Sequence, residues 1–548
     1  MKPIAIGTDD FKEIIENDYL FIDKTLFIKE LIDDGSKALL FPRPRRFGKT
    51  LNLSMLDYYF NNTYDSKDLF QGLNISKCDN KYLREMNKYP VINFSLKECK
   101  KDTYEEFISN FKTIVANLYR KYKFLLDSSL LEEVDKNYFY RCLNKEEEEQ
   151  LSLALFTLIN MLRTYYNEQV IVLLDEYDVP IIEGYLKGYY AEVISFMREI
   201  FSSTFKNNLN LKKGIITGVL RVSKEGMFTG ANNVDVYSMN DANYANYFGF
   251  LEVEVKEVLT KYNLSDKFQD VKNWYDGYLF NKNTIYNPWS ILKFLKDKDH
   301  ILQVHWANTG GVDLLRDIIY KNNTSLLSEF NRLLDNGYVY NVNLDLNMNL
   351  TDLNYNRNTV WTLFMLCGYL TSSEYNPYDE NKTLKIPNLE IRKNLENICT
   401  NWFNKQMKGS NIVVSLVDGD LETFKKELTK IVLDSFSYYD VAGRNGENFY
   451  HAFVMGLLYS SNSLFSITSN RESGFGRYDL VLKPKNNSCR YAYVIEFKAI
   501  SNNDFDKTIE DAFKQIDEKN YVESIKEYDV TKIVIVFKGK EIRIETRK

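Results

Sequence analysis

Between residues 37 and 240, short continuous apolar runs alternate with helical text, and this alternation limits the fold more than any other feature of the chain. The runs are SKALLF up to Phe41, YPVINFSL (89–96), QVIVLLDEYD (169–178) and KKGIITGVL (212–220). Helical spacing follows in LNLSMLDYYF, in 103–121, in 147–166 and in 184–206. Strands that are apolar throughout must be buried on both faces. A parallel sheet covered by helices on each side provides that burial, so the fold class is α/β. Two short helices are expected in 1–36, with Asp23 as N-cap of KTLFIKELID.

A chain of 548 residues is too long for one core. Residues 241–435 read as a mostly helical middle region with Asn-rich joints. A compact α/β unit follows: helix 446–460, strand 463–468, DLVLKP, YAYVIEFKA, helix 504–519 and strand 531–537. The expected domains are 1–240, 241–435 and 436–548. Hydrophobic residues at 44% and charged residues at 27% exclude wholesale disorder. A net charge of −6 argues against a general nucleic-acid coat while leaving room for a local basic groove. The six cysteines have no CxxC spacing, which argues against a zinc ribbon and for a reducing compartment. The N-terminal text is unlike a signal peptide and no run of 18 apolar residues occurs, so the expected location is the cytoplasm, away from membranes.

Gly48, Lys49 and Thr50 stand directly after an apolar strand and before a helix, the context of a phosphate loop. Lys49 would supply charge to the β- and γ-phosphates, Thr50 a hydroxyl to Mg²⁺, and the helix its free N–H groups. The pattern GxxxxGK[ST] is incomplete, because Arg43 stands where its first glycine belongs. Arg45 and Arg46 lie in the same loop. They either touch phosphate or belong to a basic turn that caps an ordinary helix. Asp175 and Glu176 end an apolar strand further on, as the magnesium-holding Asp and water-activating Glu of an ATPase would. Thr217 ends another strand, where a polar side chain would face the γ-phosphate or merely pack, and Arg221 lies just beyond.

DLVLKP and YAYVIEFKA look like a hairpin. With its centre between Asn487 and Ser488, Asp479 falls opposite Glu496, while Glu496 and Lys498 share one face of their strand. Two carboxylates can hold Mg²⁺ or Mn²⁺ and a nearby lysine can orient water, which suits phosphodiester hydrolysis. The bland reading is a cross-strand ion pair. Glu447 in the preceding helix and Gln515 in the following one are further candidates, Glu447 as a metal ligand.

The segments IGTDDFKEIIENDYLFIDKTLFIKELI, FPRPRRFGKTLNLSML, LLDEYDVPI, ITGVLRVSKEGMF, WYDGYLF and YNPWSIL resemble the AAA-ATPase-like family of bacterial proteins, and GRYDLVLKP with YVIEFKA resembles a PD-(D/E)xK nuclease domain. The resemblance implies a RecA/AAA-like P-loop NTPase sheet and a C-terminal restriction-endonuclease-like domain. RPRRFGKT is that family's own version of the loop. Lys49, Thr50, Asp175 and Glu176 carry over as ATPase residues. Asp479, Glu496 and Lys498, with Glu447 and Gln515, carry over as nuclease residues. It further implies ATP and Mg²⁺ as cofactors, nucleic acid as partner with DNA ahead of RNA, and a context of defence or mobile elements. Oligomeric state is left open; in a homo-oligomer Arg221 is the candidate, by position, to meet a neighbour's phosphate. The alternative is a nucleotide-gated binding switch whose nuclease-like domain does not cut. WYDGYLF, YNPWSIL and WANTGG receive no chemistry, Asp276–Gly277 reads as a turn, and Glu146–Glu149 as a solvated helix start.

Overall fold

The computed structural model describes residues 1–221 and 233–306, most of 329–435 and most of 465–548. It divides into two compact units, one of residues 1–320 and 340–391, the other of 321–339 and 392–548.

The first unit opens with α1 (Phe11–Glu16) and α2 (Leu26–Asp33). Asp23 is not the N-cap of α2. Thr25 holds that position, and Asp23 instead accepts the Thr25 N–H and hydroxyl, closing the turn one step earlier. Strand β1 (Ala38–Pro42) leads through the GKT loop into α3 (Lys49–Phe60). With β2 (Val91–Ser95), β3 (Val170–Asp175), β4 (Leu211–Gly218) and β5 (Val234–Val236) it forms a sheet in the order β2-β3-β4-β1-β5. Every pair in it is parallel. All residues of β1 and β3 are buried, as strands covered on both faces must be. The central strand β4 pairs with β1 on one side and β3 on the other, so the ends of β3 and β4 lie near the loop after β1, at the carboxyl edge where open α/β sheets bind ligands.

The helical text of 184–206 is two helices, Val179–Lys187 and Tyr190–Phe205, broken at Gly188 with φ +87°. Helix 147–166 begins only at Ala154, after a 3-10 turn. The acidic run before it is no helix start. Glu147 is buried and accepts the Gln150 N–H, whereas Glu146, Glu148 and Glu149 are exposed. The middle region adds two small sheets to its helices. One joins β6 (Phe250–Leu251), β7 (Tyr278–Phe280) and β8 (Asn283–Tyr286), and the other joins β9 (Tyr338–Asn343), β10 (Thr371–Ser372) and β11 (Asn381–Lys385).

The second unit carries β12 (Phe465–Ser469), β13 (Glu472–Ser473), β14 (Gly476–Arg477), β15 (Leu480–Pro484), β16 (Tyr491–Ala499), β17 (Asp529–Lys538) and β18 (Glu541–Arg547). Its main sheet runs β12-β15-β16-β17-β18, with only β16 and β17 parallel. Helix Phe505–Glu518 makes that crossover and buries Phe505, Ile509, Phe513 and Ile516 against Val494, Val534 and Val536. Leu480 pairs with Ile495, which is the register of a hairpin centred between Asn487 and Ser488. Helix 446–460, with Glu447 and His451, lies outside the described residues, as does Asp479.

Candidate functional site: a strand-end carboxylate cluster and a buried nuclease-like glutamate

At the GKT loop, Gly48 takes φ +82° and caps α3, so the helix starts at Lys49 with its first N–H groups facing the loop. The Lys49 side chain is buried, and its Nζ donates to the carbonyls of Arg43 (3.0 Å) and Pro44 (2.9 Å). Burial lowers its pKa, while Asp175, Asp178 and Glu176 pull the other way. Thr50 Oγ1 donates to Asp175 Oδ2 at 2.6 Å, and Thr217 Oγ1 donates to Asp175 Oδ1 at 2.5 Å. One carboxylate thus gathers the first turn of α3 with the ends of β3 and β4. Glu176 is half-buried at φ +51°, an uncommon conformation for a residue with a Cβ. Burial, then the charge of Asp175, raises its pKa toward the range of a general base.

Asp178 is a member the sequence did not single out. It is 1% exposed, and its Oδ2 accepts the N–H groups of Val219 (2.9 Å) and Leu220 (2.8 Å) just past Thr217. Burial raises its pKa against those two hydrogen bonds. A Cβ on Gly218 would stand 2.6 Å from Asp178 Oδ1, so only glycine allows this approach.

The loop arginines divide by role. Arg43 is fully buried, with Nη1 donating to Pro42 O (2.9 Å) and Tyr237 O (2.6 Å) and the guanidinium over the rings of Phe248 and Phe280. Burial pushes its pKa down to about 9. The Arg45 guanidinium is half-buried and makes no hydrogen bond or ion pair among the described residues. Arg46 lies over Trp289, 4.1 Å from the ring centroid, and donates to His305 O at 3.0 Å. Arg221 is half-buried just beyond β4 and its pKa is lowered by burial.

YNPWSIL and the start of WANTGG, to which no chemistry was assigned, therefore lie against the loop. Glu390 ties them together. It is fully buried, Oε1 accepts the N–H of His305 (2.7 Å) and of Trp306 (2.9 Å), and Oε2 accepts Ser290 Oγ (2.7 Å). Burial raises its pKa from 4.5 to about 7, with the three hydrogen bonds opposing. A carboxyl raised in the folded state stabilises fully below its unfolded pKa, and that stability is lost as pH rises through about 7. The span is about 3 kcal/mol between pH 4.5 and pH 8. Denaturant midpoints followed over this range should fall more steeply for the wild type than for Glu390→Gln. Parallel profiles would contradict it. Asp276 ends the helix Phe268–Tyr275 and with Gly277 links it directly to β7 rather than forming a turn; the φ of Gly277 is +105° and a Cβ there would strike Pro387 O.

In the second unit, Glu496 is 1% exposed at the middle of β16. Its Oε1 accepts Lys498 Nζ (3.0 Å) and Gln515 Nε2 (2.6 Å). The i, i+2 spacing puts the lysine on the same face, and helix Phe505–Glu518 delivers the glutamine. Among the described residues, no group of three or more His, Cys, Asp or Glu side chains could hold a metal ion. No helix among them is long and apolar enough to cross a membrane.

Residues 5–228 match the family model described as "Predicted AAA-ATPase", and residues 445–547 match that of the PD-(D/E)XK nuclease superfamily. The chain is 27% identical over 321 residues to an "Uncharacterized protein in vnfD 5'region" from Azotobacter chroococcum mcd 1. That stretch is 58% of this chain, and the chain spans 56% of the length of that relative.

Proposed function

For a chain that carries an N-terminal AAA-ATPase-like domain and a C-terminal PD-(D/E)xK nuclease-like domain, we propose an ATP-binding and ATP-hydrolysing module coupled to a metal-dependent nuclease. The observation that carries the first half is the Asp175 carboxylate, which receives Thr50 from the first turn of α3 and Thr217 from the end of β4. Lys49, Gly48, Arg45, Arg46 and Thr217 contact phosphate, Glu176 orients or deprotonates the attacking water, and Arg221 serves a neighbouring copy. The donor set fits Mg²⁺, since the Thr50 hydroxyl and the Asp175 carboxylate are hard oxygen ligands 2.6 Å apart. Glu496, with Asp479 and Glu447, offers the same chemistry for Mg²⁺ or Mn²⁺ in the second unit. A divalent cation would neutralise phosphate charge at the first site and lower the pKa of a water at the second. Lys498 and Gln515 hold the Glu496 carboxylate in one orientation.

The functional modules we assign are 1–240, 241–435 and 436–548, in a cytoplasmic protein acting on DNA ahead of RNA, in defence or mobile-element biology. A second reading, a nucleotide-gated binding switch that does not cut, is favoured by the engagement of Glu496 Oε1 with Lys498 and Gln515, as in a structural carboxylate. Cleavage of labelled single- and double-stranded DNA and RNA, with Mg²⁺ or Mn²⁺ and with or without ATP, separates the two. Metal-dependent cutting supports the nuclease. ATP-dependent retention of uncut nucleic acid supports the switch and overturns the nuclease reading.

A further inference from the structure

Every side chain from 43 to 47 except Arg45 is turned into the part of the first unit that follows the sheet. Arg43 reaches Tyr237, Phe248 and Phe280, Pro44 lies against Gly368, and Phe47 packs on Tyr278 and Phe280. Arg46 differs from the fully buried Arg43 in being only half-buried. Its Nη1 donates to a neutral carbonyl, His305 O, and its guanidinium covers one face of Trp289, which is itself half-buried.

The receptor is rigid. Trp289 Nε1 donates to the same His305 carbonyl at 3.1 Å, so the indole stays tethered whether or not Arg46 is there. Glu390 fixes the segment from three sides through Ser290, His305 and Trp306. The arginine side is strained, because Arg46 holds φ +67°, a region a residue with a Cβ seldom enters. The loop is also closed on itself, with Lys49 donating to Arg43 O and Pro44 O. A phosphate can take the third donor of Lys49 beside these bonds, and an anionic oxygen is a stronger acceptor for a guanidinium than a peptide carbonyl.

We propose that Arg46 reports nucleotide occupancy to the 287–306 segment: without nucleotide it rests on Trp289 and His305, and a bound nucleoside triphosphate draws it off the indole onto phosphate. The inference rests on the nucleotide site assigned above. It gives YNPWSIL and the first residue of WANTGG a role as the receptor of the loop.

Tryptophan emission tests it, with calorimetry alongside, using a non-hydrolysable ATP analogue with Mg²⁺ on the full chain. The analogue should change the wild-type emission, and Trp289→Phe should remove most of that change while still binding. Arg46→Gln, without nucleotide, should already show the emission of the liganded wild type and should bind the analogue several-fold more weakly. If Arg46→Gln does not fold, the ring-for-ring change at Trp289 decides alone. Analogue binding with unchanged wild-type emission, or with the same change in Trp289→Phe, overturns the relay and leaves the nucleotide site standing. Absence of binding in the wild type overturns both.

Discussion

Arg43→Gly is expected to destroy the nucleotide loop, although it restores the first residue of GxxxxGK[ST]. The guanidinium is fully buried, and its Nη1 serves Pro42 O and Tyr237 O. Glycine would strand two buried carbonyls that now share a charged donor, each such bond worth about 1.5–3 kcal/mol. It would also open a void between Phe248 and Phe280 and loosen the backbone by about 1 kcal/mol. One effect opposes these losses. Nε and Nη2 have no hydrogen-bond partner among the described residues, and burial lowers the guanidinium's pKa to about 9, so the buried charge is itself costly. The stranded acceptors and the void outweigh that relief, and a net loss of about 3 kcal/mol is expected. The carbonyl of residue 43, one of the two acceptors of Lys49, survives the change but is held less firmly on a looser backbone. Arg43→Met separates the contributions. It keeps most of the volume and removes the costly charge but strands the same two carbonyls, so its loss should be clearly smaller than that of Arg43→Gly without vanishing. Denaturant midpoints and calorimetric nucleotide affinity read both variants. An Arg43→Gly protein with an unchanged midpoint and tighter binding would show that the loop is an ordinary phosphate loop carrying an incidental arginine.

The role of Arg43 marks where the sequence stops being legible. The strands were readable because β1, β3 and β4 are continuous apolar runs, and that pattern has one structural use, a sheet buried on both sides. Asp175 and Thr217 were readable for a related reason, as each stands at the end of such a run, and Thr50 from the GKT pattern that follows one. What Arg43 touches could not be read, because its partners lie roughly 200 residues away, in segments with no periodicity that points back to the loop. Asp178 was hidden likewise. Its acceptor role depends on two backbone N–H groups beyond β4 and on the missing Cβ of Gly218. The start of helix Val179–Lys187 was obscured by Pro180, which reads as a break but sits in the first turn, where its absent N–H costs nothing.

In the second unit the hairpin register was legible because alternation and a short turn allow few solutions. β18 was not, because it buries only Ile544 among polar residues and has no apolar rhythm. The contact of Gln515 with Glu496 needed the helix to be placed over the sheet. In the sequence it was one polar residue among several in AFKQIDE.

Two substitutions, one in each unit, should separate the two chemistries. Lys49→Ala removes the ammonium that would sit between the phosphates, and ATP turnover should fall roughly 10³-fold, the scale for deleting one preorganised charge-stabilising group. Metal-dependent cutting measured without ATP should persist. Glu496→Gln keeps the shape of a side chain packed at 1% exposure and can still accept a hydrogen bond from Lys498 or Gln515, so the fold should hold. A neutral amide is a poor ligand for a hard divalent cation, and it leaves the Lys498 ammonium without its anion, so cleavage should fall by a similar factor, roughly 10³-fold. ATP turnover should remain. The pattern decides more than either result alone. Retained cutting by Glu496→Gln removes this glutamate from the chemistry and moves the protein to the non-cleaving switch. Loss of both activities from one change in a folded protein means that the sites are not separate.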